Sequence, residues 1–215
     1  MKGIDMKGYR TIQGESTASY EIQRSRFITH AKHAESEEAA REFITQQKKT
    51  YFDARHNCSA WVLGAAGDKQ KSNDDGEPGG TAGNPILEAI KKNDLTDIVV
   101  VVTRYFGGIK LGAGGLIRAY GHAAVRGIEA ADIITMTPYL REKLTCDYTL
   151  FNTIDHFLRK KKIRIGDTSY AEHVTMTLLL PPEEARSILD EITDLTAAQC
   201  QFEEEGEILV PVPVP

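Results

Sequence analysis

Residues 98–118, IVVVVTRYFGGIKLGAGGLIR, limit what this chain can fold into more than any other stretch. Residues 98–103 form an unbroken apolar, β-branched run, which suits a strand covered on both faces. Gly107, Gly108, Gly112, Gly114 and Gly115 follow. A backbone so poor in side chains can take positive φ and approach another surface closely. From Leu116 the spacing is helical. Leu116, Tyr120, Ala124, Gly127 and Ala131 fall on one side, and Arg118, His122 and Arg126 on the other, together with Val125. A strand, a glycine loop and a helix in this order present backbone N–H groups and the positive end of a helix. Arg104, Lys110 and Arg118 add full charges nearby. Two readings follow. The stretch is a surface for phosphates or carboxylates, or its glycines let the helix pack tightly on its sheet.

The partners for this unit come from the rest of the 215 residues, enough for one large or two small domains. Charge divides the chain. Residues 1–137 carry 18 Lys and Arg against 17 Asp and Glu, and residues 138–215 carry 8 against 14. A formal net charge of −5 opposes indiscriminate nucleic-acid binding but allows a local basic patch. The acidic second part suits a basic partner or none. Cys58, Cys146 and Cys200 are odd in number and widely spaced, without a CxxC pair, so neither a disulfide framework nor a zinc site is expected. The N-terminus lacks the apolar core of a signal peptide, and no window has the apolar length of a membrane span. These features together predict a cytoplasmic protein with no membrane partner.

Taken in order, residues 1–18 read as polar, irregular chain. Short strands are predicted at 20–22 and 26–32, then a helix from 36 to about 50 capped by Ser36, with Glu37 and Glu38 in its first turn. Residues 58–63 form a strand that holds the only Trp, Trp61, partly in the core. The loop at 64–83 has too much Gly, Asp, Asn and Pro for regular structure. Its Asp74, Asp75 and Glu77 suggest oxygen ligands for a hard cation, but Lys71 stands where a calcium loop needs its first carboxylate. A solvated acidic turn is the better reading, and no metal or other cofactor is expected. Asn84 followed by Pro85 marks a helix start that ends at Asn93 and Asp94. The glycine-flanked helix runs from Gly115 to about Ala131.

After it, 133–140 reads as a strand, and from residue 142 the texture changes. Leu144, Cys146, Tyr148 and Leu150 alternate as in a half-exposed strand. Ile154, Phe157 and Leu158 mark a helix ending in three lysines. Strands at 163–170 and 172–180, a helix at 183–195 and a strand at 201–210 complete the order β-α-β-β-α-β of a ferredoxin-like split unit. The closing VPVPVP reads as a frayed tail. The domains are placed at 1–137 and 138–215, in an α+β, two-domain α/β sandwich protein.

The motifs DDGEPGGTAGNPIL at 74–87 and VVVVTRYFGGIKLGAGGLIRAY at 99–120, with RYFGGxxLG unbroken from Arg104 to Gly112, resemble the signature of the YigZ/IMPACT family, in its two-domain bacterial form. The resemblance implies a first domain similar to a small-subunit ribosomal protein domain and to domain IV of elongation factor G. It implies a ferredoxin-like second domain similar to domain V of that factor. Such relatives touch ribosomal RNA, and the eukaryotic branch regulates translation by competing for the activator of an initiation-factor kinase.

Function then narrows to binding. The expected anion or nucleic-acid surface comprises Arg104, Tyr105, Gly107, Gly108, Lys110, Gly112, Gly114, Gly115, Arg118 and Arg126. Cations meet phosphate oxygens there, and Tyr105 and Phe106 either stack on an unpaired base or pack beside the strand. RNA, the ribosome or a translation-related protein is the expected partner, without sequence-specific reading of DNA. The alternative is an enzyme acting on a nucleotide or phosphorylated substrate. Against it, no Lys-Ser or Lys-Thr follows Gly112, and Ile117 stands at the last glycine position of a dinucleotide fingerprint. Nucleophile-elbow and HExxH patterns are absent as well, so no catalytic residues are assigned.

Overall fold

The computed structural model describes residues 6–214, in which ten strands and five helices alternate. They are β1 (Tyr9–Gln13), β2 (Glu15–Ile22), β3 (Ser25–His33), α1 (Glu37–Thr50), β4 (His56–Leu63), β5 (Lys69–Asn73), α2 (Gly83–Lys92), β6 (Ile98–Tyr105), α3 (Gly112–Glu129), β7 (Asp132–Cys146), α4 (Tyr148–Lys160), β8 (Arg164–Tyr170), β9 (Val174–Leu180), α5 (Pro182–Leu195) and β10 (Cys200–Pro213). The chain forms two compact units. One is Tyr9–Met136 with residues 211–214, and the other is Thr137–Val210 with residues 6–8.

The first unit is built on β6. Its sheet has the order β2–β3–β6–β4–β5, every pairing antiparallel. The apolar run of β6 is covered on both faces, as its composition predicts. Val100 and Val102 pack with Ile86, Ile90, Tyr120 and Ala124 of α2 and α3. Val99 and Val101 pack with Phe43 of α1 and with Trp61, which is buried. Successive strand residues point to opposite faces, so one unbroken valine run serves two cores. Ser36 caps α1, its hydroxyl accepting from the Ala39 N–H. Helix α3 buries Leu116, Tyr120, Ala124 and Gly127, in agreement with the expected stripe, but it begins at Gly112. The later glycines of the loop are therefore its first turn.

The second unit holds β7 from Thr137, α4, β8, β9, α5 and β10 as far as Val210, in the predicted order. Leu140–Cys146 of β7 pairs with β9, β9 with β8, and β10 with β7, which gives the order β10–β7–β9–β8. Leu144, Met176, Leu178, Ile154, Leu158 and Ile188 form its core.

Five local expectations are corrected. Of the stretch expected to be irregular, residues 1–5 lie outside the described residues, but β1 and β2 occupy most of the remainder. β1 pairs with the start of β7, Ile12 opposite Ile133. The loop after β4 contains β5, whose KQKSN sequence suits an edge strand that polar, Lys-bearing residues protect from further pairing. The α2 N-cap is Ala82 rather than Asn84. Asn84 Oδ1 accepts from the Ser72 hydroxyl. The strands expected at 133–140 and 144–150 are the single β7, which pairs with β1 as far as Met136 and with β9 from Leu140. Tyr148 and Leu150 belong to α4. Finally, β10 runs to Pro213, and the Val214 N–H donates to Ile133 O at 3.4 Å, so the tail is paired there; Pro215 lies outside the described residues.

Candidate functional site

The end of β6 and the start of α3 bound a hollow of about 780 Å³ in the first unit. Asp53, Arg55 and His56 line it from the turn after α1 and the start of β4, Glu77 and Pro78 from the loop before α2, Arg104, Tyr105 and Phe106 from β6 and the residue after it, and Lys110 and Gly112 from the approach to α3. Antiparallel pairing brings the first and third groups together, since His56 lies opposite Arg104 in the β4–β6 register.

Arg104 is at the base of this arrangement. Its side chain is 8% exposed, and Nη1 donates to Glu77 Oε1 at 2.7 Å. The same oxygen accepts from the Tyr120 hydroxyl at 2.8 Å. The guanidinium carbon lies 5.6 Å from the buried Phe27 ring and 5.5 Å from the Phe106 ring, which is 57% exposed. The Nε atom of Arg104 is closed off from solvent and has no hydrogen-bond partner. Such a group is costly to leave unmatched. Tyr105 donates to Asp53 Oδ1 at 2.7 Å, and that bond raises the phenol pKa above its ordinary value.

The acidic loop turns inward. Asp74 accepts from the backbone N–H groups of Gly80, Ala82 and Gly83, and so satisfies the opening of α2. Burial pushes its carboxyl pKa up, but the three bonds outweigh that and hold it below the ordinary range. Asp75 accepts from the Asn57 N–H and pairs with Lys48. Glu77 is 8% exposed and joins Arg104 to Tyr120. The expected solvated turn is thus a set of internal acceptors. Among the described residues no group of His, Cys, Asp and Glu has the arrangement of a metal site.

The ten residues expected to form one surface are distributed over several places. Arg104, Tyr105, Lys110 and Gly112 share the hollow. Arg118 lines a second one, of about 490 Å³, between α2 and α3, beside Ile117 and His122. Arg126 is exposed on α3, about 20 Å from Gly112 along the helix at 1.5 Å per residue. Gly107 serves packing, because a Cβ there would lie 2.0 Å from the Arg24 carbonyl carbon. Gly108 and Gly112 have positive φ, +86° and +69°, and open space around them. Gly114 is exposed and Gly115 half-buried in the first turn of α3. Close packing thus explains Gly107, whereas Gly108 and Gly112 meet a need for positive φ.

Sequence reasoning missed Asp53, Arg55 and His56. Nothing local flags them, since only the β4–β6 pairing carries them to Arg104. The thiol of Cys58 is fully buried and donates to Asp74 O, and burial pushes its pKa up to about 12. A thiol so placed is inert packing rather than a nucleophile.

This geometry defines a two-domain α+β protein with a hollow at the mouth of a strand–glycine–helix unit. Residues 23–128 match the Impact N-terminal domain, and residues 144–199 match a domain of unknown function, DUF1949. IMPACT family member YvyE of Bacillus subtilis is 39% identical over 203 residues, covering 94% of this chain and 93% of that protein. IMPACT family member YigZ of Escherichia coli is 35% identical over 188 residues, covering 86% and 92%. The chain belongs to the IMPACT family. A crystal structure described as that of a hypothetical protein is similar throughout, with a TM-score of 0.60 and 33% identity, over 92% of this chain and 97% of that one. Among the described residues no helix is long and apolar enough to cross a membrane.

Proposed function

We propose that this chain is a non-catalytic, translation-associated protein that binds single-stranded RNA at the hollow beside the α3 N-terminus. One observation carries the reading: Arg55, Lys110 and the exposed Phe106 gather around a concavity that opens on the first turn of a helix. Arg55, Arg104 and Lys110 outnumber Asp53 and Glu77 in its lining, so it is cationic within an acidic chain. Lysine and arginine meet phosphate oxygens without regard to base identity. An exposed ring adds stacking, about 1–3 kcal/mol per base. The translation setting comes from the resemblance of the first domain to a ribosomal domain and to domain IV of elongation factor G.

The test is fluorescence anisotropy with an unstructured RNA 10-mer across a salt series. Affinity should fall steeply with salt, and the slope should flatten by roughly 0.7 for each cation removed, in Lys110→Ala and in Arg55→Ala. Affinity indifferent to salt and to both substitutions would reject the reading. Cosedimentation with ribosomal subunits then asks whether structured RNA is the natural target.

A further inference from the structure

We propose that the hollow receives a phosphomonoester, the phosphate at an RNA end or on a free mononucleotide, in preference to the internal phosphodiesters of a continuous strand. The inference rests on the RNA-binding reading and narrows it. Its first support is the start of α3. The 18-residue helix has Leu111 at its cap position, in helical conformation and without any side-chain hydrogen bond. Its first-turn N–H groups lack intrahelical partners by geometry, and the positive end of the dipole lies there.

The second support is independent of the helix. Arg104 is more than nine-tenths buried in the lining of the same hollow, and its Nε is unmatched. Of the two rings over its guanidinium, Phe27 is wholly buried and Phe106 is exposed. Of the two, Phe106 is the ring that also lines the hollow. The carboxylates in the lining are already engaged. Glu77 holds Arg104 and Tyr120, and Asp53 holds the Tyr105 hydroxyl. They leave Arg55 and Lys110 as exposed cations of the lining.

Shape and charge select the end over the middle of a strand. A concavity of about 780 Å³ is of the size that encloses a small ligand. An internal phosphodiester arrives with chain on both sides and one negative charge. A terminal phosphate has chain on one side, carries close to two charges at neutral pH, and offers three oxygens to converging donors.

The test uses the full-length protein and four probes: an RNA 8-mer with a 5′-phosphate, the same RNA with a 5′-hydroxyl, the same RNA with a 3′-phosphate, and adenosine monophosphate, with adenosine as control. One or both phosphate-ended RNAs should bind at least about tenfold more tightly than the RNA lacking a terminal phosphate, and adenosine monophosphate should compete where adenosine does not. Ala113→Asp is the decisive variant. Ala113 is exposed in the first turn of α3 and lines the hollow. An acidic side chain there favours the helix dipole yet repels a phosphate. This variant should keep or raise the melting temperature while losing the preference for a phosphate end. Phe106→Ala should weaken all three RNAs.

Equal binding of all three RNAs, unaffected by Ala113→Asp, would overturn the phosphomonoester site and leave general RNA binding intact. Binding of adenosine monophosphate alone, sensitive to Ala113→Asp, would uphold the site and reject RNA as its ligand. Silence from every probe would reject both.

Discussion

Arg104 Nη1 and Glu77 Oε1 lie 2.7 Å apart, with their side chains 8% and 4% exposed. The pair spans 27 residues and ties the loop before α2 to the end of the central strand. Through the Tyr120 hydroxyl it also reaches α3. The floor of the hollow is therefore a fixed ion pair, and the adaptable chemistry belongs to the exposed residues around it.

Removing one partner of this pair strands the other. Glu77→Ala should destabilise the first unit by about 3–5 kcal/mol, because the guanidinium would remain buried without its carboxylate. In Glu77→Ala combined with Arg104→Met the total loss should be smaller than the sum of the two single losses, since no charge is left unmatched. Urea midpoints for the single and double variants measure this coupling. Strict additivity would mean that the pair contributes nothing beyond its separate side chains.

Gly127 offers a test in which propensity and packing predict opposite signs. Within a helix, Gly→Ala ordinarily stabilises by about 1 kcal/mol. Here a Cβ would lie 2.3 Å from Thr29 Cγ2 on the neighbouring strand. The overlap should dominate, so Gly127→Ala should destabilise by about 1–3 kcal/mol. Adding Thr29→Ser removes the offending methyl while retaining the hydroxyl that donates to Ala123 O. Thermal melts should then show partial recovery.

Asp74 links stability to acid. Its folded-state pKa is depressed by three backbone N–H bonds that outweigh the effect of burial. Its contribution is thus present above the ordinary carboxylate pKa and lost as pH falls through the depressed one. Asp74→Ala should cost about 1–2 kcal/mol at pH 7, the range for a lost helix cap. That difference should shrink toward pH 2 in urea titrations of the two proteins.

How much could be read in advance followed the distance over which each signal acts. The covered strand at Ile98–Tyr105, the Ser36 cap and the stripe of α3 were legible because each is written within a few residues. β5 was not, because an edge strand needs no apolar face and KQKSN has none. β1 lacks the turn and alternation signals of a hairpin and gains its identity from Ile133 and its neighbours, more than a hundred residues away. The site divides in the same way. Lys110 and the glycines stand out in the motif, whereas the internal role of Arg104 depends on Glu77, and Arg55 enters through strand pairing. A motif reveals which donors are present, but not which of them an internal carboxylate has already taken.

The second unit contains a similar trap at Glu142. It is 6% exposed and shares the core-facing side of β7 with Leu140 and Leu144, opposite Leu178 of β9. The adjacent cations face the other way along the strand, Arg141 pairing with Glu205 and Lys143 with Glu203. Burial, and then the nearby charges of Glu204 and Glu205, raise the Glu142 pKa above its ordinary value. The sign follows from linkage. A raised folded-state pKa means that the favourable contribution belongs to the protonated form, is complete below the unfolded-state pKa, and is lost as pH rises through the folded one. Glu142→Gln should therefore raise the urea midpoint at pH 8, and Glu142→Leu should raise it further by extending the apolar row. Both gains should diminish as pH falls below the ordinary glutamate range, where the wild-type side chain is neutral too. A Gln variant less stable than wild type at pH 8 would instead mean that the Glu142 charge has a favourable partner in the folded protein.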